Sequence, residues 1–227
     1  MNDPFAPRYT EHVPPGLDIE FYPPRLLDRT GLSLATGMES ADGWSWRCAL
    51  DGLTLACGVR RESLRWELTL RLTNTGPDRE VAVRYPVVHY GFPEGTPLRE
   101  FDPLFGGVLE KHTLWIERWY PGNASLCASF VAAPRQAVGM AMRNEQQRRV
   151  RLYHLPAATS GHMSLEIERV LIRSGETLDL PSAYISAGVN WGDVLRPYRD
   201  WLQATYQRPL PLCDWYWNGN FIENRYA

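Results

Sequence analysis

From Leu64 to Thr73 apolar and polar residues alternate without a break. Leu64, Trp66, Leu68, Leu70 and Leu72 fall on one face, and Arg65, Glu67, Thr69, Arg71 and Thr73 on the other. A period of two over that length predicts a half-buried antiparallel strand. Asn74-Thr75-Gly76-Pro77-Asp78 supplies a turn, and Val81, Val83, Tyr85 and Val87 carry the alternation back. Pro86 has no N–H to give to a ladder, which predicts an edge or a bulge. Upstream, 44–50 and 53–60 flank Asp51-Gly52, a two-residue hairpin signal. Downstream, 124–132 and 137–142 flank another turn, 148–155 follows Asn144-Glu145-Gln146-Gln147, and the apolar alternation from Met163 runs through Ser174-Gly175-Glu176 to Leu180. Many short strands at regular spacing predict an all-β, antiparallel β-sandwich.

Two stretches depart from this pattern. The first thirty residues are rich in proline and predict an extended arm, with one edge strand over 16–22. Gly91 to Thr113 predicts a long irregular loop, rich in Gly, Pro, aromatic and acidic residues, of the kind that carries binding. Near the C-terminus, Val194, Tyr198, Trp201, Leu202 and Thr205 form a helical stripe. Asn190 or Asp193 can cap that helix; with Asn190 as cap, Pro197 falls in its interior. Beyond it, Trp215, Tyr216, Trp217, Phe221, Ile222 and Tyr226 crowd a short tail. The expected organisation is a sandwich over 1–187, and over 188–227 a connector helix and aromatic tail leading toward a catalytic domain outside this chain.

Charge and composition narrow the function. The net charge of −2 over 227 residues, with no long basic run, gives no electrostatic basis for nucleic-acid or anionic-membrane binding. No uncharged apolar stretch approaches the ~18 residues of a membrane span, and the first residues lack the pattern of a signal peptide; a cytoplasmic location is expected. The four cysteines show no metal-binding spacing. Across the Asp51-Gly52 turn Cys48 opposes Leu55 and lies only diagonal to Cys57, about 7–8 Å away and too far for a disulfide. No nucleotide, phosphate-cradling or metal fingerprint stands out, so no cofactor is expected.

Four stretches together resemble a known family: the long strand, Asn-Thr-Gly turn and return strand of 64–88; Tyr120-Pro121-Gly122 entering a strand; the glycine-led 137–144 around Gly139; and Trp191 followed by Tyr198, Arg199 and Trp201. In order and spacing they are similar to the galactose-mutarotase-like β-sandwich that precedes the (β/α)8 barrel of several glycoside hydrolases. The resemblance implies carbohydrate as ligand and a downstream barrel as partner. It also implies that no catalytic residue lies in this piece, because the family's carboxylates belong to the barrel.

Nothing in the sequence pairs two acids at the ~5 Å or ~6.5–9.5 Å separations that glycoside hydrolysis needs. The candidate carbohydrate-binding residues are therefore those after the long loop: Trp115, Trp119 and Tyr120 for stacking on sugar C–H faces, with His112, Asp102 and Glu110 for hydroxyls. An alternative is a small aldose 1-epimerase with His89 and His162 (or His154) as acids and Glu166 (or Glu168) as base. Against it, Glu166 and Glu168 alternate with Leu165 and Ile167, as solvent-facing strand residues do. A third reading is an interaction module that docks through its aromatic tail.

Overall fold

The structure, a computed structural model, describes residues 9–27, 34–40, 43–102, 107–109, 116–120 and 126–205. The strands in chain order are β1 (Tyr9–Val13), β2 (Leu17–Tyr22), β3 (Arg25–Leu27), β4 (Leu34–Ser40), β5 (Gly43–Leu50) and β6 (Leu53–Glu62). They continue with β7 (Arg65–Asn74), β8 (Arg79–Arg84), β9 (Val87–Gly91), β10 (Arg99–Asp102), β11 (Gly107–Leu109) and β12 (Ile116–Tyr120). The last are β13 (Ala128–Ala133), β14 (Gln136–Met142), β15 (Val150–Pro156), β16 (Ser160–Ile172) and β17 (Thr177–Gly188), followed by helix α1 (Trp191–Thr205).

Two antiparallel sheets enclose the core. One runs β1-β2-β9-β16-β15-β12, with β8 also against β16 and β3 against β8; the other runs β11-β10-β13-β14-β17-β7-β6-β5-β4. The alternation in β7 is realised as expected, with Trp66, Leu68, Leu70 and Leu72 buried. Asp51 and Gly52 both take positive φ, 40° and 81°, the geometry of a tight hairpin turn whose twist matches its strands. The resulting register sets Leu50 opposite Leu53 and Cys48 opposite Leu55. Cys48, Cys57 and Cys127 are free thiols buried in the core.

Three expectations change. The segment 16–22 is not an edge: Pro14-Pro15-Gly16 turns the chain, so that β1 covers one side of β2 while β9 pairs with the other. Pro86 marks an interior bulge rather than an edge: β8 and β9 both pair with β16 on its two sides, and between Glu166↔Arg84 and Met163↔Val88 the Pro86 segment carries one residue more than β16. Pro23-Pro24 interrupt the neighbouring β2–β3 pair at the same level, since the registers resume at Tyr22↔Val87 and Arg25↔Arg84. Two proline breaks in adjacent strands crease the sheet, because neither side can donate there. Lastly, the stretch from Gly91 to Thr113 is not wholly a loop. It contributes β10 and β11 to the margin of the nine-stranded sheet.

Helix α1 is capped by Asn190, whose Oδ1 accepts the Asp193 amide at 3.1 Å. Pro197 accordingly lies inside the helix. The helix packs on β13, β14 and β17, on the face of that sheet turned away from the core. Val194 and Tyr198 are buried beneath it, and the Tyr198 hydroxyl accepts the Cys127 amide at 3.1 Å. Gly139 makes the approach possible: a Cβ there would lie 2.6 Å from both Val194 Cγ1 and Phe130 Cβ. The aromatic tail beyond residue 205 lies outside the described residues.

Candidate functional site

The chemistry-bearing side chains gather on the outward face of the eight-stranded sheet. Each of its strands sends alternate residues inward, such as Ile19, Phe21, Val88, Leu152, Leu165 and Ile167, so the residues between them face out together. Register then builds rows across the strands. Arg25, Arg84, Glu166, Arg151 and Trp119 stand opposite one another across β3, β8, β16, β15 and β12. In a second row Glu20, His89, His162 and Leu155 run across β2, β9, β16 and β15.

The first row is a dense ionic lattice. Glu166 is 4% exposed, and its Oε2 accepts from Arg84 Nε at 2.8 Å and Nη2 at 2.6 Å. The Tyr153 hydroxyl lies 3.5 Å from its Oε1, and the Arg84 guanidinium stacks 4.7 Å from the Tyr153 ring centre. Glu168 accepts from Trp119 Nε1 at 3.0 Å and from Arg151, and pairs with Arg149 at 3.2 Å. Burial alone would raise the Glu168 carboxyl, but hydrogen bonds from Trp119 and Arg151 and the arginine charges hold it below the usual carboxylate range. Arg149 and Arg151 also lie over the part-buried Trp119 ring, 5.7 and 5.2 Å from its centre. Trp119 is thereby fixed at its N–H and at its π system.

The second row brings two histidines together. The rings of His89 and His162 are 4.7 Å apart, centre to centre. His89 Nδ1 lies 3.7 Å from Glu20, which accepts a hydrogen bond from Tyr22 at 2.8 Å. Burial, and then the proximity of His89, push the His162 imidazole below its ordinary pKa. Between the rows, at the proline crease, opens a pocket of about 260 Å³ lined by Tyr22, Arg25, Arg84, Tyr153, His162 and Ser164, with Val87 and Leu155 as apolar wall. A larger cavity, about 570 Å³, lies on the nine-stranded sheet. Its Arg71 and Asp179 pair with each other at 2.7 Å and its Trp46 is buried, so among the described residues it presents no exposed aromatic ring to a ligand. Among the described residues no group of three or more His, Cys, Asp or Glu is placed to hold a metal ion.

With this geometry in hand, solved structures supply the comparison. An α-galactosidase from Lactobacillus brevis aligns with 82% of this chain at a TM-score of 0.50 and 10% identity. The fold is that of a galactose-mutarotase-like β-sandwich. A GH36 α-galactosidase from Geobacillus stearothermophilus matches 88% of the chain at a TM-score of 0.49 and 13% identity. A candidate aldose 1-epimerase from Escherichia coli K12 matches 70% of this chain and 69% of its own, at a TM-score of 0.46 and 11% identity. This mutarotase-like sandwich spans about a third of each α-galactosidase, 29% and 32%. No protein-family model matches the sequence, and no curated protein matches it.

The sequence candidates distribute unevenly over the sandwich. Trp119 and Tyr120 lie on β12, Trp119 outward and Tyr120 part-buried against the core. Asp102 is on β10 of the other sheet; Glu110, His112 and Trp115 lie outside the described residues. The epimerase set gathers more closely, with His89, His162 and Glu166 on one face. His154 is instead buried in the core, its Nε2 2.8 Å from the Tyr90 hydroxyl and its Nδ1 3.2 Å from Ser129 Oγ. Glu166 is not the solvated acid its alternation implies, because Arg84 and Tyr153 cover it. Glu20, Tyr22, Arg25, Arg84, Arg151 and Tyr153 belong to the face and are absent from the sequence candidates. Their outward parity was visible in the alternation; which strands stand side by side was not.

Proposed function

We propose that this chain is a non-catalytic carbohydrate-binding sandwich, the N-terminal part of a glycoside-hydrolase-like protein with a (β/α)8 barrel as its neighbour, and that sugar lies on the outward face of the eight-stranded sheet. The observation that carries this reading is Trp119: a part-buried ring held by Glu168, Arg149 and Arg151, with Arg151 directly opposite it on β15. A fixed ring presents a flat apolar surface to the C–H face of a pyranose at little entropic cost, while neighbouring carboxylates and guanidiniums meet its hydroxyls. The likeness to α-galactosidases makes galactose and melibiose the first probes. Titration calorimetry should give saturable binding that Trp119→Ala abolishes. No heat with either sugar or with glucose, or binding unchanged in the variant, would refute the placement.

A second reading, aldose 1-epimerase, is favoured by the His89–His162 pair. Anomerisation needs a base to take the O1 proton and an acid to protonate the ring oxygen as the C1–O5 bond opens to the aldehyde; rotation and re-closure reverse both transfers. Two adjacent imidazoles can serve such transfers. Glu166 is less suited to be the base, since its Oε2 is engaged by two guanidinium N–H groups. Polarimetry decides: accelerated mutarotation of α-glucose or α-galactose, lost in His162→Gln, would establish the enzyme, and an uncatalysed rate would remove it.

A further inference from the structure

The start of the Gly91 to Thr113 stretch, whose composition marked it for binding, lines a recess at one end of the sandwich. We propose that this recess binds a flat aromatic ring carrying one hydrogen-bond donor, a phenol or an indole. The inference is independent of the sugar reading above.

Three connections meet there: the β1–β2 turn, the passage from β9 to β10 and the β13–β14 turn. Gly16 lets the first two close on each other, because a Cβ there would lie 3.0 Å from Pro93 Cγ and its φ is 145°. Pro93-Glu94-Gly95-Thr96 forms a tight turn, with the Thr96 amide donating to the Pro93 carbonyl at 3.2 Å and Gly95 at a φ of 78°. The recess between these turns measures about 360 Å³, within the ~300–1,000 Å³ of ligand pockets.

The anchor is Gln136, which lines the recess and is only 7% exposed. Its Nε2 donates at 3.2 Å to the Val13 carbonyl, which also accepts the Gly16 amide at 3.1 Å. A carbonyl only accepts, so this bond sets which end of the carboxamide faces Val13. Oε1 is left as an acceptor with no donor among the described residues. A polar group so deeply buried is costly to leave unmatched, and a ligand that donates to Oε1 removes that cost.

The rest of the wall selects what carries the donor. Pro15, Pro93, Pro97 and Pro134 line the recess together with Phe92. Proline and aromatic rings suit one another, as when proline-rich segments dock in aromatic-lined grooves. The fixed φ of proline also leaves these walls little freedom to lose on binding. A pyranose is a poor match, because five rings without a hydrogen-bonding group would leave most of its hydroxyls unmatched. A phenol or an indole has one donor on the edge of an apolar ring, which answers both Gln136 and the prolines. Glu94 and Arg135 also line the recess and are exposed, so they can meet the charged neighbours of a ring that a protein brings.

Titration of the full chain, followed through its backbone amide NMR shifts, tests the proposal with N-acetyl-tyrosinamide, N-acetyl-phenylalaninamide, phenol, indole and galactose. The tyrosine amide is expected to shift the amides of Phe92, Thr96 and Gln136 saturably. It should bind about fivefold or more tighter than the phenylalanine amide, the ~1 kcal/mol of one net hydrogen bond. Gln136→Met keeps the length of the side chain and removes the acceptor, so it should erase that difference while ring binding persists. Should Gln136→Met fail to fold, the wild-type comparison still decides. Equal affinity for the two amides, shifts confined to other parts of the chain, or no binding by any ring would overturn the proposal. Galactose saturating these amides more tightly than the tyrosine amide would overturn it as well, by making the recess a sugar site. Two further arms separate the sources of the ring. Phenol or indole binding as tightly as the tyrosine amide assigns the recess to a free aromatic compound. Tighter binding of an acetylated lysyl-tyrosyl-aspartyl amide, with the gain lost in the Glu94→Gln, Arg135→Gln double variant, assigns it to a tyrosine of a protein partner.

Discussion

Replacing Glu166 by Gln tests whether the outward face is an ordered lattice or an ordinary wet surface. The side chain is 6% exposed, and one of its oxygens accepts two hydrogen bonds from Arg84. Breaking a buried ion pair by removing one partner costs about 3–5 kcal/mol. Arg84 keeps 27% side-chain exposure and can regain part of its hydration, so about 2–3 kcal/mol is expected here. A solvated strand residue would give a change within about 0.5 kcal/mol. Gln preserves volume and an acceptor oxygen, so the loss reports charge rather than a cavity. Urea unfolding followed by tryptophan fluorescence measures it, as a lower midpoint at unchanged slope. Arg84→Gln and the double variant complete a cycle, with an expected coupling of about 1.5–3 kcal/mol between groups in direct contact. A loss below about 0.5 kcal/mol in Glu166→Gln, or two large single losses that simply add, would refute the buried pair.

The other predictions concern the helix seat and the histidine row. Gly139→Ala forces a methyl to within 2.6 Å of Val194 Cγ1 and should cost about 1–3 kcal/mol; combining it with Val194→Ala should recover part of that loss in thermal unfolding. Wild-type stability in Gly139→Ala would place the helix elsewhere. Tyr198→Phe deprives the buried Cys127 amide of its acceptor and should cost about 1–3 kcal/mol by urea denaturation, with the far-UV spectrum retained. His162 is depressed in the fold, so below its unfolded pKa near 6.5 the unfolded chain takes up the proton first. The stability it supports is present above about pH 6.5 and is lost as pH falls toward the folded pKa. His162→Gln should therefore narrow the gap between urea midpoints at about pH 7 and about pH 5, and a parallel pair of profiles would contradict the shift.

Legibility in the sequence followed the distance over which each feature is determined. Asp51-Gly52, the alternation from Arg65 to Thr73 and the helical stripe through Tyr198 are set within a dozen residues, and each emerged where the pattern placed it; Leu64, read as the first apolar position, instead lies exposed in the turn before β7. Pro86 carried a correct local fact, a missing donor, but its meaning depends on Pro23-Pro24 lying beside it, which no local pattern encodes. The same holds for the site. Alternation assigns Glu166 to the outward face, and outward ordinarily means solvated. Its burial comes from Arg84, 82 positions earlier in the chain, and from Arg151 on the next strand. Of the ring and acid candidates among the described residues, Trp119 is the one found in that lattice, because β12 pairs with β15 and sets Trp119 opposite Arg151. A sequence shows parity; strand order makes parity into a site.

The contrast between the two outer faces supplies the last step. On the nine-stranded sheet α1 covers β13, β14 and β17 with Val194 and Tyr198, an apolar solution that stabilises directly. On the eight-stranded sheet Glu166 is buried among arginines, two cations oppose each other at the crease, and two imidazoles lie in contact. Replacing such groups by apolar residues of similar volume is often neutral or stabilising by about 1–4 kcal/mol. Stability alone therefore gives no reason to keep them, and the ligand proposed for this face would. The sugar recognition proposed above would fit that need, because a pyranose offers an apolar face to a ring such as Trp119 and hydroxyls to the charges.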